Sequence, residues 1–388
     1  MTPPLPDAAA RRRKIVYAVT EDWYFCSHRL PMALAAQAMG WDVVVATRVD
    51  RHGDEIRRHG FRLVDWRIDR RSANPAREAK AVLQLASLYR RERPDLVHHV
   101  ALKPVLYGAL AARLARVPAV VNALAGLGAA FISNSRRSRQ LRRALLLVFR
   151  RLLDHEGSRL LVQNEDDRAL FLGKRIVAPE RIALIPGSGV DAARFAPMPE
   201  PDGIPVAALV GRMLWDKGVG EAVEAARLLK ARGVPLRVAL VGRPDPANPR
   251  SIPEETLRGW QDEGLVEWWG HRDDMVEVWR QAAIGLLPSY REGMPKALLE
   301  AASCGRALVA TDVPGCRALV RPWVNGVLVP KGDAAALADA LATLAEAAAM
   351  RAQMGAAARE LVLAEYSDER IRAATQALYR EMTERGLG

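Results

Sequence analysis

The sequence predicts an α/β protein of two doubly wound domains in tandem, each a parallel sheet covered by helices, facing each other across a cleft. Three observations carry this. Strand-like apolar runs alternate with helix-periodic segments along the chain. The alternation restarts after a cluster of Pro197, Pro199, Pro201, Gly203 and Pro205, which reads as a linker. The length of 388 residues suits two domains of roughly 100–200 residues each. The expected boundaries are 1–185 and 186–367, with a terminal helix over about 368–388 packing back on the first domain.

In the first domain, Lys14–Val19 reads as a buried strand, followed by a helix from Leu30 to Met39 that Gly40 stops. Strands follow at Trp41–Ala46, Leu96–Val100, Ala119–Asn122 and Arg159–Val162, with a helix over Val105–Leu114. Val206–Val210 opens the second series. It continues through helix Val219–Ala231, strands Leu236–Val241 and Val266–Trp269, helix Asp274–Gln281 and strand Ile284–Leu287. A helix over Pro295–Cys304 and strand Ala307–Ala310 come next. The end is helical: Ala334–Ala348, Met350–Ala364 and Asp368–Arg385. Continuous apolar strands between helices imply sheets buried on both faces, whose ligands bind beyond the carboxyl ends of the strands.

Half of the residues are hydrophobic and 26% are charged, which excludes a disordered chain. Three cysteines, Cys26, Cys304 and Cys316, form neither an even framework nor a CxxC pair. That argues against a disulfide-built domain and a zinc ribbon. The longest nearly uncharged apolar stretch, Val117–Ile132, is shorter than the ~20 residues of a membrane span and is broken by Pro118, Gly126 and Gly128. No signal-peptide core follows the basic start, so a cytoplasmic protein is expected. The net charge of +12 is uneven: residues 1–185 carry 33 Lys and Arg against 18 Asp and Glu, and the rest is slightly acidic. An excess of that kind points to an anionic partner for the first half.

Three segments carry chemistry. In Arg291–Glu300 (REGMPKALLE), Pro295 marks a helix start at its first position, and the amides there favour an anion such as phosphate. Glu292 stands just before that helix and Glu300 within it, suited to accept hydrogen bonds from a vicinal diol. The same spacing also fits two solvated carboxylates. In Val210–Gly218 (VGRMLWDKG), Arg212 and Lys217 follow a strand, where a diphosphate could lie between a planar fork and a point charge. A salt-bridged loop is the alternative. Ile185–Asp191 (IPGSGVD) reads as a turn whose glycines serve the backbone.

In this order and spacing, the three segments resemble the retaining glycosyltransferases of family four, which have the GT-B fold of two Rossmann-like domains. REGMPKALLE resembles the two-glutamate motif, GRMLWDKG the phosphate-binding loop and IPGSGVD the interdomain loop of that family. Phe25–Pro31, His98–Pro104 and Val121–Gly128 resemble a bacterial branch that builds lipid-linked surface glycans. The resemblance implies that Arg212 and Lys217 hold the donor diphosphate and that Glu292 faces the transferred sugar. Gly211, Gly293, Met294, Pro295 and Gly189 would bring backbone against the donor, and Glu300 would bind its ribose. It implies no protein nucleophile, no cofactor and no metal, and no HExxH or spaced His/Asp set is present. The implied reaction moves a sugar from a nucleotide sugar, with UDP preferred to GDP-mannose, to an undecaprenyl-diphosphate-linked acceptor.

The chain departs from the family at Thr20–Tyr24, where many members carry a Gly-Gly loop, and at Asn122 or Gly126, where many carry a histidine. His98, His99, Lys103 and Asn122 are the acceptor-side candidates, with core or surface imidazoles as the alternative for the histidines. Residues 135–151 hold seven arginines and no acid, with Leu141, Leu145, Val148 and Leu152 on one helical stripe. A basic amphipathic helix of this kind suits an anionic membrane surface, which implies a peripheral position at the inner face of the cell membrane. Nucleic acid is not an expected partner, because the arginines lack interleaved aromatics. A nucleotide-sugar epimerase of the same fold and a basic nucleic-acid-binding module are the alternative functions.

Overall fold

The computed structural model describes residues 11–68, 74–124, 136–246 and 248–384, without the side chains of 136–139 and 141–145. Two compact units emerge. Unit 1 comprises Met1–Val162, Arg168–Ile185 and Arg372–Gly388; unit 2 comprises Gln163–Asp167 and Pro186–Ile371.

Unit 1 is built on a parallel sheet of seven strands in the order β3-β2-β1-β4-β5-β6-β7. The strands are β1 (Lys14–Glu21), β2 (Asp42–Arg48), β3 (Arg62–Asp65), β4 (Leu96–Val100), β5 (Ala119–Ala123), β6 (Ser158–Val162) and β7 (Ile182–Leu184). The helices between them are α1 (Asp22–His28), α2 (Leu30–Ala38), α3 (Gly53–Arg58), α4 (Pro75–Glu92), α5 (Leu102–Ala115), α6 (Arg136–Leu153) and α7 (Glu165–Gly173). β4 and β5 are buried at every residue, the signature of strands covered on both faces. α4 begins where the Asn74 side chain accepts from the amides of Ala76 and Arg77, with Pro75 just inside.

In α6 the expected stripe is open to solvent at Val148 and partly buried at Leu152, and a second face is buried. Phe149 and Leu153 are buried, whereas Val148 and its neighbour Leu147 are exposed. The helix packs through Phe149 and Leu153, which share one stripe at i,i+4 and meet α5 and β6, with Leu146 and Leu152 partly buried beside them. Leu141, Leu145 and the arginines from Arg136 to Arg143 have side chains outside the described set, as has the whole of 125–135 with Gly126 and Gly128.

Unit 2 is built on a parallel sheet of six strands, β10-β9-β8-β11-β12-β13. They are β8 (Val206–Val210), β9 (Arg237–Val241), β10 (Glu267–Gly270), β11 (Ile284–Leu287), β12 (Ala307–Thr311) and β13 (Gly326–Val329). The helices are α8 (Val219–Ala231), α9 (Glu254–Asp262), α10 (Met275–Gln281), α11 (Lys296–Ser303), α12 (Pro314–Leu319), α13 (Ala334–Glu346), α14 (Ala348–Leu361) and α15 (Asp368–Glu384). α15 passes from unit 2 into unit 1 at Arg372. Strand residues alternate between two cores. Ala207, Leu209, Leu286 and Val309 face α8 and α13, while Ala208, Leu287 and Ala310 face α10 and α11. The helix after Met350 ends earlier than its periodicity suggests: Val362–Tyr366 is a π turn, and the chain is extended at Ser367.

In each sheet the order reverses direction at one pair of neighbours, β1 with β4 and β8 with β11. The loops that leave these pairs diverge to opposite sides and open a crevice at the strands' carboxyl ends.

Candidate active site

Most candidate residues of unit 2 lie on the two loops that leave β8 and β11, while Glu300 stands in α11 and Gly189 precedes β8. After β8, the Gly211 amide donates to the Val241 carbonyl over 2.9 Å and that of Met213 to Arg243 over 3.1 Å. Met213 is fully buried and anchors the loop. A 3-10 turn over Trp215–Lys217 leads to Gly218, which caps α8 at φ +73°. Only glycine fits there, since a Cβ would overlap the Pro288 carbonyl. The loop after β11 is pinned to this turn: the Tyr290 amide and the Ser289 hydroxyl both donate to the Asp216 carbonyl, over 3.0 and 3.2 Å.

This clamp sets Lys217 Nζ at 2.5 Å from Glu292 Oε1. The side chains are 25% and 11% exposed, so the pair is partly desolvated. Arg212 Nη1 donates to Asp245 Oδ2 over 2.7 Å and is more open to solvent. Both cations predicted to hold a diphosphate are therefore held by carboxylates, and both stand on the loop that leaves β8.

The rest of the second loop is held through its backbone. The Gly315 amide donates to the Glu292 carbonyl over 3.1 Å, and Asn164 Nδ2 donates to the Gly293 carbonyl over 2.8 Å. Arg291 Nη2 pairs with the buried Asp167 at 3.0 Å. Burial raises the Asp167 carboxyl above the usual carboxylate range, although Arg291 and Asn164 oppose the shift. Met294 turns into the core beneath Gly187, so only its backbone can meet a ligand. A Cβ on Gly187 would come within 2.6 Å of Met294 Cγ.

Pro295 is the cap residue of α11, not its first helical residue as its sequence position suggests. Its ψ of 98° is extended, and the helix begins at Lys296 with no side-chain cap on its first amides. A helix start of this kind favours an anion. Glu300 lies further along α11 and is 7% exposed. Burial raises its carboxyl pKa, against the opposing influence of Lys296, Trp279 and Arg194. Gly189 takes φ +80° and packs on the start of α15, where a Cβ would lie 2.5 Å from Asp368 Oδ1.

The acceptor-side expectation is corrected for three residues of unit 1. His98, His99 and Asn122 have no exposed surface. His99 Nδ1 meets Asn122 Oδ1 at 2.8 Å, its Nε2 meets the Tyr89 hydroxyl at 3.0 Å, and Asn122 donates on to Ser158 Oγ. His98 Nδ1 meets the Tyr379 hydroxyl at 2.7 Å. His99 and Asn122 are satisfied inside the sheet, which is why apolar strands tolerate them, whereas His98 is held through Nδ1 alone and its buried Nε2 has no partner. Lys103 pairs with Glu78 at 3.2 Å on the rim of α5.

Asp245, Asn164, Asp167 and Arg291 were not foreseen as part of this site. The one local signal was Asn164 followed three residues later by Asp167, a helix-capping pattern whose amide bond is present at 2.8 Å. Nothing local links that cap to Gly293, 129 residues further on.

Comparisons with known proteins bear on the family and the fold. Residues 14–161 match the family model described as Glycosyl transferase 4-like, and residues 204–347 match Glycosyl transferases group 1. The chain is 27% identical over 331 residues to the N,N'-diacetylbacillosaminyl-diphospho-undecaprenol alpha-1,3-N-acetylgalactosaminyltransferase of Campylobacter jejuni, covering 82% of this chain and 85% of the relative. It is 28% identical over 284 residues to the UDP-Gal:alpha-D-GlcNAc-diphosphoundecaprenol alpha-1,3-galactosyltransferase of Escherichia coli, covering 70% and 71%. The solved sucrose-phosphate synthase of Thermosynechococcus elongatus shares the fold, with a TM-score of 0.79 at 21% identity, covering 96% of this chain and all of that one. Among the described residues, no helix is long and apolar enough to cross a membrane.

Proposed function

Since the chain belongs to the glycosyltransferases and has the GT-B fold, we propose that it transfers a sugar, with retention, from a UDP-linked donor to an undecaprenyl-diphosphate-linked acceptor in surface-glycan assembly. The observation that carries the donor half is the Lys217–Glu292 pair beside the uncapped start of α11, with Arg212 on the same loop as Lys217. A diphosphate entering there competes with Glu292 and Asp245 for the two cations. Lys217 and Arg212 then stabilise the charge that grows on the leaving diphosphate. Glu292, released from Lys217, faces the sugar as it becomes cationic. Glu300 accepts hydrogen bonds from the ribose hydroxyls. The acceptor hydroxyl forms its bond to the anomeric carbon as the bond to the diphosphate oxygen breaks, on the same face of the sugar. The acceptor's proton passes to the departing diphosphate. No metal is needed for this step, because the two cations occupy its place, and no nucleic acid takes part.

The acceptor half rests on the relatives, both of whose names specify diphospho-undecaprenol or diphosphoundecaprenol substrates. The second of them also names a UDP-sugar donor. A lipid-linked acceptor is met at the bilayer, which suits a peripheral position at the inner face of the cell membrane. α6 contributes its basic run and the exposed Leu147 and Val148. α5 exposes Leu110 and Leu114, and Arg113 between them hydrogen-bonds the Arg151 carbonyl of α6. Apolar side chains among arginines match an anionic lipid surface. The test is a donor screen with synthetic lipid-linked acceptors, reading product mass and the anomeric configuration of the new bond. Failure with every UDP-sugar, or a product of inverted configuration, refutes the corresponding part.

A further inference from the structure

Unit 1 holds a second cluster of chemically capable side chains that plays no part in the reaction above. Cys26 lies on α1, His52 at the turn entering α3, and Glu55 in the first turn of α3. A sulfur, an imidazole nitrogen and a carboxylate oxygen from these three lie within 4.8 Å of one another. His52 Nδ1 is 3.0 Å from Glu55 Oε2. The i,i+3 spacing puts the last two on one helical face. α1 and α3 follow β1 and β2, which are paired neighbours in the sheet.

The cluster is held from behind. Asp22 has no exposed surface, and its Oδ2 accepts from the amides of Asp50 and His52 over 2.7 and 2.9 Å. Its Oδ1 accepts from the Trp23 amide over 2.7 Å. One buried carboxylate thus fixes both the start of α1 and the turn that carries His52. Two cations on the neighbouring elements are engaged elsewhere, Arg48 with Glu21 and Arg57 with Asp54. The His52 and Glu55 side chains are 42% and 35% exposed, so the cluster opens to solvent on one side. Cys26 is only partly buried, whereas Cys304 and Cys316 are buried in unit 2.

We infer that Cys26, His52 and Glu55 form a binding site for a divalent cation of the zinc class, with water from the open side completing a four-coordinate shell. Thiolate, imidazole and carboxylate together are the donor set of zinc rather than of magnesium or calcium, which take oxygen ligands. Three protein ligands and one open position suit a tetrahedral ion. Bound there, the ion ties α1 to α3 across the ends of β1 and β2. Its role is independent of the donor site, whose residues belong to unit 2.

The experiment uses the full chain without a histidine tag, stripped with chelator and titrated with cobalt(II), then with zinc. Saturable binding near one equivalent is expected, with a thiolate-to-cobalt charge-transfer band that zinc displaces. Zinc should raise Tm. Cys26→Ser should abolish the band and the rise in Tm, and His52→Gln and Glu55→Gln should each weaken binding about tenfold or more. His52 and Glu55 are partly exposed, so their variants test the site even if Cys26→Ser fails to fold. Absence of saturable binding overturns the assignment, as does undiminished binding in Cys26→Ser or His52→Gln. In either case the three groups make only an ordinary hydrogen-bonded cluster.

Discussion

Lys217 Nζ and Glu292 Oε1 lie 2.5 Å apart, joining the loop after β8 to the loop after β11. The two residues are 75 positions apart in sequence and belong to different motifs. In the proposed reaction their pairing would make the donor site an exchange site, the cation giving up a carboxylate to take a phosphate. It also means that removing either partner leaves the other partly buried charge without its counter-ion.

Arg212→Ala or Lys217→Ala should lower kcat by roughly 10²–10³, the cost of one lost charge-stabilising donor. Steady-state turnover with the identified donor checks this. Near-normal rates in both variants would remove the phosphate assignment.

The two glutamates should separate kinetically. Glu300→Ala should raise KM for the nucleotide sugar with little change in kcat, because a ribose contact is alike in ground and transition states. Glu292→Ala should mainly lower kcat. If the signatures are exchanged, so are the roles.

Chelation should leave turnover intact, since the proposed reaction gives Arg212 and Lys217 the part a divalent cation plays in metal-dependent transfer. Activity in EDTA is the measurement. Complete loss, restored by magnesium or manganese, contradicts it.

Replacing Arg136, Arg137, Arg139, Arg142 and Arg143 with Gln should release the chain from anionic liposomes while sparing nucleotide binding. Each basic residue near an anionic surface contributes ~1 kcal/mol, so high salt should mimic the change. Co-sedimentation reads both effects. Equal pelleting of parent and variant with anionic and neutral vesicles would exclude membrane docking by α6.

Stability should fall as pH drops below neutrality. Burial lowers the His99 pKa to about 4, with the Asn122 hydrogen bond opposing the shift. The unfolded imidazole titrates near ~6.5, so between these values the unfolded chain binds the extra proton. The stabilisation is complete above ~6.5 and is lost as pH falls to about 4, by roughly 3 kcal/mol for His99 alone. Burial, with Arg29 and His99 adding to it, also lowers the pKa of His98, which acts in the same direction. Denaturant unfolding at neutral pH and near pH 4.5 should show a smaller loss in His99→Gln than in the parent. An equal loss would place the acid sensitivity elsewhere.

Much of the architecture was legible in the sequence. Buried parallel strands are unbroken apolar runs, and helices repeat their apolar residues every three to four positions, so both appear within a short window. The short edge strands β3, β7 and β13 and the helices α1, α3, α4, α7, α9 and α12 were not picked out singly. Strands of three or four residues offer few positions to show a period, although β10, also a four-residue edge strand, was legible at Val266–Trp269. The loops bearing Arg212, Lys217 and Glu292, and the helix bearing Glu300, were legible because a strand end, a glycine and a helix start follow one another locally.

What the sequence determined by itself is therefore local: which segments are strands and helices, where one doubly wound series ends and the next begins, and which loops carry charge at strand ends. The tertiary structure alone decided which charges meet. Sheet order puts β8 beside β11, and from that adjacency follow the Lys217–Glu292 pair and the Tyr290–Asp216 clamp. Neither Asp245 nor Asn164 announces its partner, because a hydrogen bond depends on distance in space and carries no period along the chain. The same holds for His98, His99 and Asn122. Whether an imidazole in an apolar strand faces a ligand or the core depends on what stands opposite, and here Tyr89, Tyr379 and Ser158 stand there, supplied by three other elements.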